Sequence, residues 1–524
     1  MSKFTKFIKT PRLFYKDMIK KKVGNNEKPK PKPKPKPKPK PKSEQGYLQE
    51  ISALTNAFDV NSIKIGTEYI WPYIRQHFWV QLYLLGHGKY NNNVMIPERL
   101  QLGSNSHIPA HLRPLLKEKY NASEINDLEE DNLDFLFITV LNSSEQVELE
   151  NGNVYFRITD PFYEIASKVG RAKKLEMIKV NTPGLLKIKK YKYKALHVLT
   201  PMVIKSGYAN SINYYYKFIE ILRQKVPSLK HDYSTLNRTI DWELHTRDFY
   251  IKILEKLNPK YIFFNGFHYQ APLISAAQYL NIKTIDIQHG LQVGWNPLYN
   301  DWNEIPKGGY QSLPDKFFVW GQKEYENINK VFTGKNHTPI IVGNPWLDRQ
   351  LELVSSFDKK TLKLFSKYKQ KVLIILQNQT EIPDLIKNLI VESSDDVLWI
   401  VRHHPKGRKF KLSDFGNNKN ILVSKYIDTV SLSQLLQNTN VTISAGSTVS
   451  WESDYFGNIN FIFSIEGKEN YRDEIENEEF YFIEDAEEFY EKIKFIDFSI
   501  RESKVNAFEK VDIEKVLLNL LEEA

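Results

Sequence analysis

The stretch "VRHHPKGRKF" (401–410) sets two histidines, a proline and several basic side chains directly behind "DVLWI", an apolar run with the character of a buried strand. Metal, phosphate and surface-turn chemistry are all open to such a stretch. Metal is the weakest of these. Neighbouring residues on an extended chain point to opposite sides, so His403 and His404 are poor joint ligands. The chain has no cysteine and no H-E-x-x-H to complete a zinc set. Arg402 and His404, two apart with Pro405 fixing the turn, suit phosphate oxygens better. His403 is expected to face the other way and to matter less.

Other strand-like runs also end in polar chemistry. "IDIQHG" (285–290) delivers Gln288, His289 and Gly290. A histidine there can act as a general base near neutral pH, or only make a structural hydrogen bond. "IIVGNPWLD" (340–348) breaks at Gly343-Asn344-Pro345, either as plain turn chemistry or as part of a site. "IILQNQTE" (374–381) ends in Gln377 and Asn378, which line a nucleotide pocket or cap the next helix. "ISAGSTVSWESDYFGN" (443–458) carries Ser444, Gly446, Ser447, Thr448 and Ser450 into a helical run. Small residues, hydroxyls and N–H groups at a helix start attract anions. Glu452, one turn in, accepts from a ribose or sugar hydroxyl or serves as a cap. There is no P-loop pattern and no D-x-D triplet. A diphosphate would therefore be neutralised by cationic side chains and helix ends, with no metal or other cofactor expected.

These motifs need strands to carry them. "LDFLFITVL" (133–141), "YKALHVLTPM" (193–202), "KYIFFNG" (260–266) and "KTIDIQHG" (283–290) form one alternating set with helices over 160–170 and 270–281. A second set runs through 316–321, 339–345, 371–379, 397–405, 420–424, 440–447 and 460–465. Short, near-continuous apolar strands separated by helices imply parallel sheets covered on both faces. The expected fold is α/β, with two Rossmann-like parallel-sheet domains facing a central cleft. The expected boundaries are 46–130 for a helical and irregular N-terminal region, 131–310 for the first sheet domain, 311–500 for the second and 501–524 for a C-terminal helix. Ligands would sit at the carboxyl ends of the strands.

The net charge of +10 over 524 residues is a property of the tail. Residues 1–42 hold 16 Lys/Arg against 2 acids, whereas the remainder holds 57 against 61. A nearly neutral body argues against a nucleic-acid partner. Residues 1–27 place Phe4, Phe7, Ile8, Phe14, Tyr15, Met18 and Ile19 on one helical face with lysines on the other. Such a basic amphipathic segment suits an anionic membrane surface. The strict Lys-Pro alternation that follows excludes helix and favours a stiff extended spacer over 28–45. No apolar run reaches the ~20 residues of a membrane span, and no secretory signal is evident. The expected location is the cytoplasm, peripherally on the inner face of the cytoplasmic membrane.

"QHG", "VGNP", "RHHP" and "SAGSTVSWES", in this order, resemble the motifs of GT-B glycosyltransferases of bacterial surface-polysaccharide synthesis. "RHHP" is similar to the H-P motif of sialyl- and Kdo-type transferases and of CDP-glycerol glycerophosphotransferases. The resemblance implies a first domain for the acceptor and a second for a nucleotide-sugar donor. It implies donor-phosphate contacts from His404 with Arg402, and from Ser444, Ser447 and Thr448, and a base at His289. It implies transfer of a sugar, from a CMP-sugar of the sialic acid or Kdo type, to a capsule or lipopolysaccharide glycan or glycolipid. "YIWPYIR" (69–75), with Trp71 and Arg75, looks like the helical N-terminal region of such enzymes, where these residues serve the acceptor or the structure. Two alternatives remain: a polyol-phosphate transferase using CDP-glycerol or CDP-ribitol, and a non-catalytic membrane-tethered scaffold for other capsule-synthesis proteins.

Overall fold

A computed structural model of the chain describes residues 44–86, 113–140, 145–149, 151–177, 191–199, 207–212, 214–226, 233–292, 299, 302, 305–332, 336–353, 357–377, 379, 381–404, 407–416, 418–498 and 501–523. The basic segment at 1–27 and nearly all of the Lys-Pro spacer lie outside them. So do Asn378 and Pro405. The helix Glu44–Ala57 begins just inside the interval expected for the spacer.

Seventeen strands occur in the described residues. In chain order they are β1 (Lys64–Ile65), β2 (Glu68–Tyr69), β3 (Phe135–Val140), β4 (Gln146–Glu148), β5 (Val154–Phe156), β6 (Ala172–Met177), β7 (Leu196–Val198), β8 (Tyr261–Phe264) and β9 (Lys283–Ile287). They continue as β10 (Lys316–Val319), β11 (Thr338–Ile341), β12 (Gln370–Leu376), β13 (Val397–His403), β14 (Ile421–Leu422), β15 (Val441–Ser444), β16 (Ile459–Ile462) and β17 (Tyr481–Phe482). Two parallel sheets carry the architecture. The first has the order β11-β10-β9-β8-β3-β6-β7, and the second β14-β13-β12-β15-β16-β17. These are the two Rossmann-like parallel-sheet domains expected from the alternating runs.

The strands are buried because both faces of each sheet are covered. Phe135, Phe137, Phe263 and Phe318 pack on one face of the first sheet, and Leu136, Ile262 and Phe264 on the other. In the second sheet Val372, Ile374, Trp399 and Ile443 face one layer, and Leu373, Ile375 and Ile400 the other. "AKKLEM" (172–177) escapes a search for apolar runs yet forms β6. Its Lys174 is fully buried in an ion pair with Asp160, beneath the Phe156 ring. A buried pair of this kind lets a polar sequence occupy a core strand.

The domain boundary differs from expectation. The runs at 316–321 and 339–345 belong to the first sheet as β10 and β11, not to the second. β10 pairs with β9 from Lys316↔Ile285 onward, and β11 extends the same edge. Phe317 and Val319 join the core that holds Phe264 and Leu273. Successive strand–helix units look alike in sequence on either side of a boundary, and only pairing decides which sheet receives them. The C-terminal segment then returns to the first domain. Leu517 and Leu520 of the helix Ile513–Glu523 pack with Phe135 and Phe162, and the Tyr261 hydroxyl donates to the Leu520 carbonyl at 2.6 Å.

That return explains Gly343 and Asn344, which were candidate donor contacts. Gly343 sits at φ +69°, and a Cβ there would come 2.1 Å from the Glu509 carbonyl oxygen. Asn344 Oδ1 accepts from Trp346 N at 3.2 Å, holding the turn into the helix Pro345–Leu353. Both residues are corrected to a structural role: glycine is required because the returning chain crosses here. Among the described residues no helix is long and apolar enough to cross a membrane.

Candidate functional site

Each sheet has one place where consecutive connections leave in opposite directions. In the first sheet the chain goes from β3 to β6 and β7 on one side, then crosses to β8, β9, β10 and β11 on the other. In the second it goes from β12 to β13 and β14, then crosses to β15, β16 and β17. Such switch points leave a crevice at the carboxyl ends, between β3 and β8 and between β12 and β15.

The first crevice is built by three loops. After β8 come Asn265 and Gly266, the latter at φ +69°, followed by a single turn Phe267–Tyr269. After β9 come Gln288, His289 and Gly290. After the β4–β5 hairpin comes Arg157, whose N–H donates to the Glu145 carbonyl at 3.0 Å. Asn265 Nδ2 donates to Glu145 Oε1 at 2.8 Å and ties the hairpin to the β8 loop. The two imidazoles converge on Gly266: a Cβ there would lie 3.4 Å from His268 Cε1 and 3.7 Å from His289 Cε1.

The second crevice meets the first directly. Leu291 N donates to Thr448 Oγ1 at 3.4 Å, a long hydrogen bond, and a Cβ on Gly290 would stand 3.6 Å from the same hydroxyl. Glu452 lies on the helix Val449–Tyr455 that follows. His289 and Glu452 are only partly exposed. Burial pushes the His289 imidazole down to about 4, and the nearby Arg157 cation pushes in the same direction. Burial lifts the Glu452 carboxyl to about 7, with Arg157 pulling back. His268 is held down to about 3, by burial first and then by His289. One cation therefore faces both a histidine held neutral and a carboxyl whose ionisation is shifted toward neutral pH. Nε of Arg157 and Nδ1 of His289 are buried with no hydrogen-bond partner.

These groups predict a pH signature in stability. His289 binds its proton below about pH 4 in the folded chain but near 6.5 when unfolded, so its contribution falls as pH drops through that window. Glu452 ionises near 4.5 when unfolded and near 7 when folded, so its contribution falls as pH rises from 4.5 to 7. The slopes oppose one another and partly cancel. Glu452→Gln removes the second slope. Its stability relative to the wild type is expected to be higher at pH 7.5 than at pH 5, as read by urea midpoints. An equal difference at both pH values would contradict the assignment.

The remaining predicted residues divide by what they touch. Gln288 is buried and bridges strand ends: its Oε1 accepts from Trp320 N at 2.7 Å and its Nε2 donates to the Gly290 carbonyl at 3.1 Å. Ser444 and Ser450 are buried and share a hydrogen bond of 2.9 Å; Ser444 Oγ also accepts from Gly446 N. Gly446 sits at φ +124°, where a Cβ would meet Gly467 Cα at 2.5 Å. Ser447 Oγ accepts from Val449 N at 3.4 Å, and its carbonyl accepts from the Tyr471 hydroxyl. These residues shape the loop, and Thr448 is the member that touches the opposite domain. His404 is partly exposed at the end of β13, its N–H bonded to the Leu376 carbonyl, beside Gln377 at the end of β12. Trp71 is fully buried in the first core. The Arg75 guanidinium lies 4.0 Å over the Trp302 ring.

Arg402 is corrected. Its guanidinium donates to the carbonyls of Ile427 and Val430, and burial brings it down to about 10 despite Asp428 nearby. It clamps the segment after the helix Lys425–Thr429 rather than a ligand. His403 also departs from expectation. Its Nε2 accepts from Phe410 N at 3.0 Å, which leaves the Nδ1 proton to donate to Asp428 at 3.1 Å. That imidazole clasps Phe410 and Asp428 to the end of β13. His403→Ala leaves the buried Phe410 N–H without its acceptor and removes one donor to Asp428, which keeps the residue-403 N–H and Lys409, so a loss of about 1–3 kcal/mol is expected in denaturant unfolding. A loss under about 0.5 kcal/mol would refute the clasp.

Arg157 and His268 were not picked out from the sequence. "NGNVYFRITD" (151–160) carries Arg157 in a hairpin with no strand-end signature. His268 stands two residues beyond "KYIFFNG", and the glycine ending that run was its only signal.

No family model matches the sequence, and no curated protein matches it. Solved structures do. UDP-GlcNAc 2-epimerase from Neisseria meningitidis bound to UDP-GlcNAc is 12% identical, covering 74% of this chain and 100% of that one with a TM-score of 0.45. UDP-GlcNAc 2-epimerase from Methanocaldococcus jannaschii is 14% identical, covering 74% and 100% with a TM-score of 0.45. UGT89C1 from Arabidopsis thaliana complexed with UDP is 12% identical, covering 75% and 94% with a TM-score of 0.40.

Proposed function

We propose that this protein is a metal-independent glycosyltransferase that uses a nucleotide-activated sugar. The observation that carries the reading is Arg157, a partly exposed cation whose buried Nε has no hydrogen-bond partner, set beside a neutral histidine where two parallel-sheet switch points face each other. A phosphate would satisfy that cation. A neutral imidazole is the form that can take a proton.

In the reaction, His289 removes the proton from an acceptor hydroxyl. The oxygen attacks the anomeric carbon of the donor. The bond from that carbon to the phosphate oxygen breaks, and the nucleotide leaves with the electron pair. Arg157 stabilises the charge on the leaving phosphate from the first domain, with Thr448 and His404 doing so from the second. A bound phosphate offsets the field of Arg157 and raises the basicity of His289 when it is needed. The motif resemblance favours a CMP-sugar of the sialic acid or Kdo type and a bacterial surface glycan as acceptor.

Parallel assays with CMP-sialic acid, CMP-Kdo, UDP-GlcNAc and CDP-glycerol test the reading. Turnover of a sugar nucleotide is expected. Release of CMP from CDP-glycerol with no sugar nucleotide consumed would replace it with polyol-phosphate transfer.

A further inference from the structure

Arg157 acts on two groups, and the reaction above uses only one of them. Besides His289 it reaches Glu452, on the helix Val449–Tyr455 of the second domain. That helix is joined to the first crevice through Thr448. The Glu452 N–H donates to the Thr448 carbonyl at 3.3 Å, and the Thr448 hydroxyl accepts from Leu291 N, two residues past His289. The neighbours of Glu452 on the helix are committed elsewhere. Trp451 Nε1 donates to Glu474, which also pairs with Lys323, and the Asp454 carboxylate accepts from Ser503, Lys504 and Val505. The Tyr471 hydroxyl feels the charge of Glu452 but donates its proton to the Ser447 carbonyl. Glu452 differs from all of these. Among the described residues its carboxyl makes no hydrogen bond or ion pair, Arg157 is the one charge acting on it, and it stays partly open to the cleft.

A phosphate seated on Arg157 changes what Glu452 can be. An ionised carboxylate there would set two anions against one cation, and like charges disfavour the ionised form. A protonated carboxyl is instead a hydrogen-bond donor to that phosphate. Burial already lifts this carboxyl to about 7, and a phosphate beside it lifts it further. We propose that Glu452 is the general acid of the transfer, donating its proton to the phosphate oxygen as the bond from that oxygen to the anomeric carbon breaks. The acceptor hydroxyl gives one proton to His289, the leaving phosphate takes one from Glu452, and exchange with water restores both groups. The proposal rests on the glycosyltransferase reading for the bond that breaks, but not for the proton that Glu452 holds against a phosphate.

Binding tests the proton without turnover. The probes are the methyl esters of CMP and UMP, phosphodiesters with no ionisation near neutral pH, and cytidine and uridine as controls. Each is titrated into the full chain at pH 6.5 and pH 8 by calorimetry. The wild type is expected to bind the preferred ester roughly 3- to 10-fold more weakly at pH 8, the scale set by up to one unit of pKa change on binding. Glu452→Gln keeps a donor without the charge and should lose most of that difference, and the nucleosides should show none. An ester affinity that ignores pH in the wild type overturns the proposal. Nucleosides that weaken as the esters do overturn it in favour of a ribose contact. Absence of ester binding overturns it together with the phosphate site on Arg157. In turnover of a sugar nucleotide, Glu452→Gln is expected to lower kcat about 10²–10⁴-fold with little change in KM, and to abolish the alkaline limb of kcat/KM near pH 7. A raised KM with kcat intact overturns the acid role. If the esters bind as expected while no sugar nucleotide is consumed, the reaction assignment fails and the proton donor to phosphate stands.

Discussion

His289→Ala is expected to lower kcat for sugar transfer by about 10²–10⁴-fold, the range for loss of a positioned general base. The fold should survive, because Nδ1 of this imidazole makes no hydrogen bond that the variant would break. The pH dependence of the wild type adds a sharper readout. kcat/KM reports the free enzyme, where His289 titrates near 4, and kcat reports the donor complex, where the added phosphate raises it. The acid limb of kcat should therefore lie at higher pH than that of kcat/KM. Coincident limbs, or a variant retaining a tenth of wild-type kcat, would remove His289 from the role of base.

Arg157→Ala is expected to cost about 10²–10³-fold in kcat/KM, the scale of losing one preorganised donor to developing negative charge. Arg157→Lys keeps the charge but loses the planar fork, so it should recover part of that loss. The substitution to alanine also removes the field that adds to burial in depressing His289 and that partly restrains Glu452. The acid limb of kcat/KM should move to higher pH. A purely structural arginine would lower activity through stability and leave that limb in place, so an unmoved limb with a lowered Tm would overturn the assignment.

These two residues show how unevenly the site was legible. His289 ends an apolar strand with a glycine behind it, a local pattern that sequence displays. Arg157 reaches the same place from a hairpin, through Glu145 and Asn265, and no local pattern marks it. Thr448 and Glu452 were found as part of a serine-rich loop, but their neighbours Ser444 and Ser450 were found with them and spend their hydroxyls inside the loop. Arg402 and His404 share a side by strand alternation. Alternation says nothing of what waits there, and 25 residues on, the Ile427 carbonyl captures the guanidinium. His403 was expected to be idle because it points away, and pointing away from the cleft is what buries it against Asp428 and Phe410.

From its residues alone this chain declares parallel sheets, because strands covered on both faces must be apolar almost throughout. It also declares that polar chemistry gathers where those strands stop. Both are consequences of local composition, and burial acts on composition one segment at a time. Which strands share a sheet, why Gly343 must be glycine, and which cation faces His289 depend on segments far apart in the chain. Those contacts exist only after packing has chosen among partners that look equivalent in sequence, and the tertiary structure alone makes that choice.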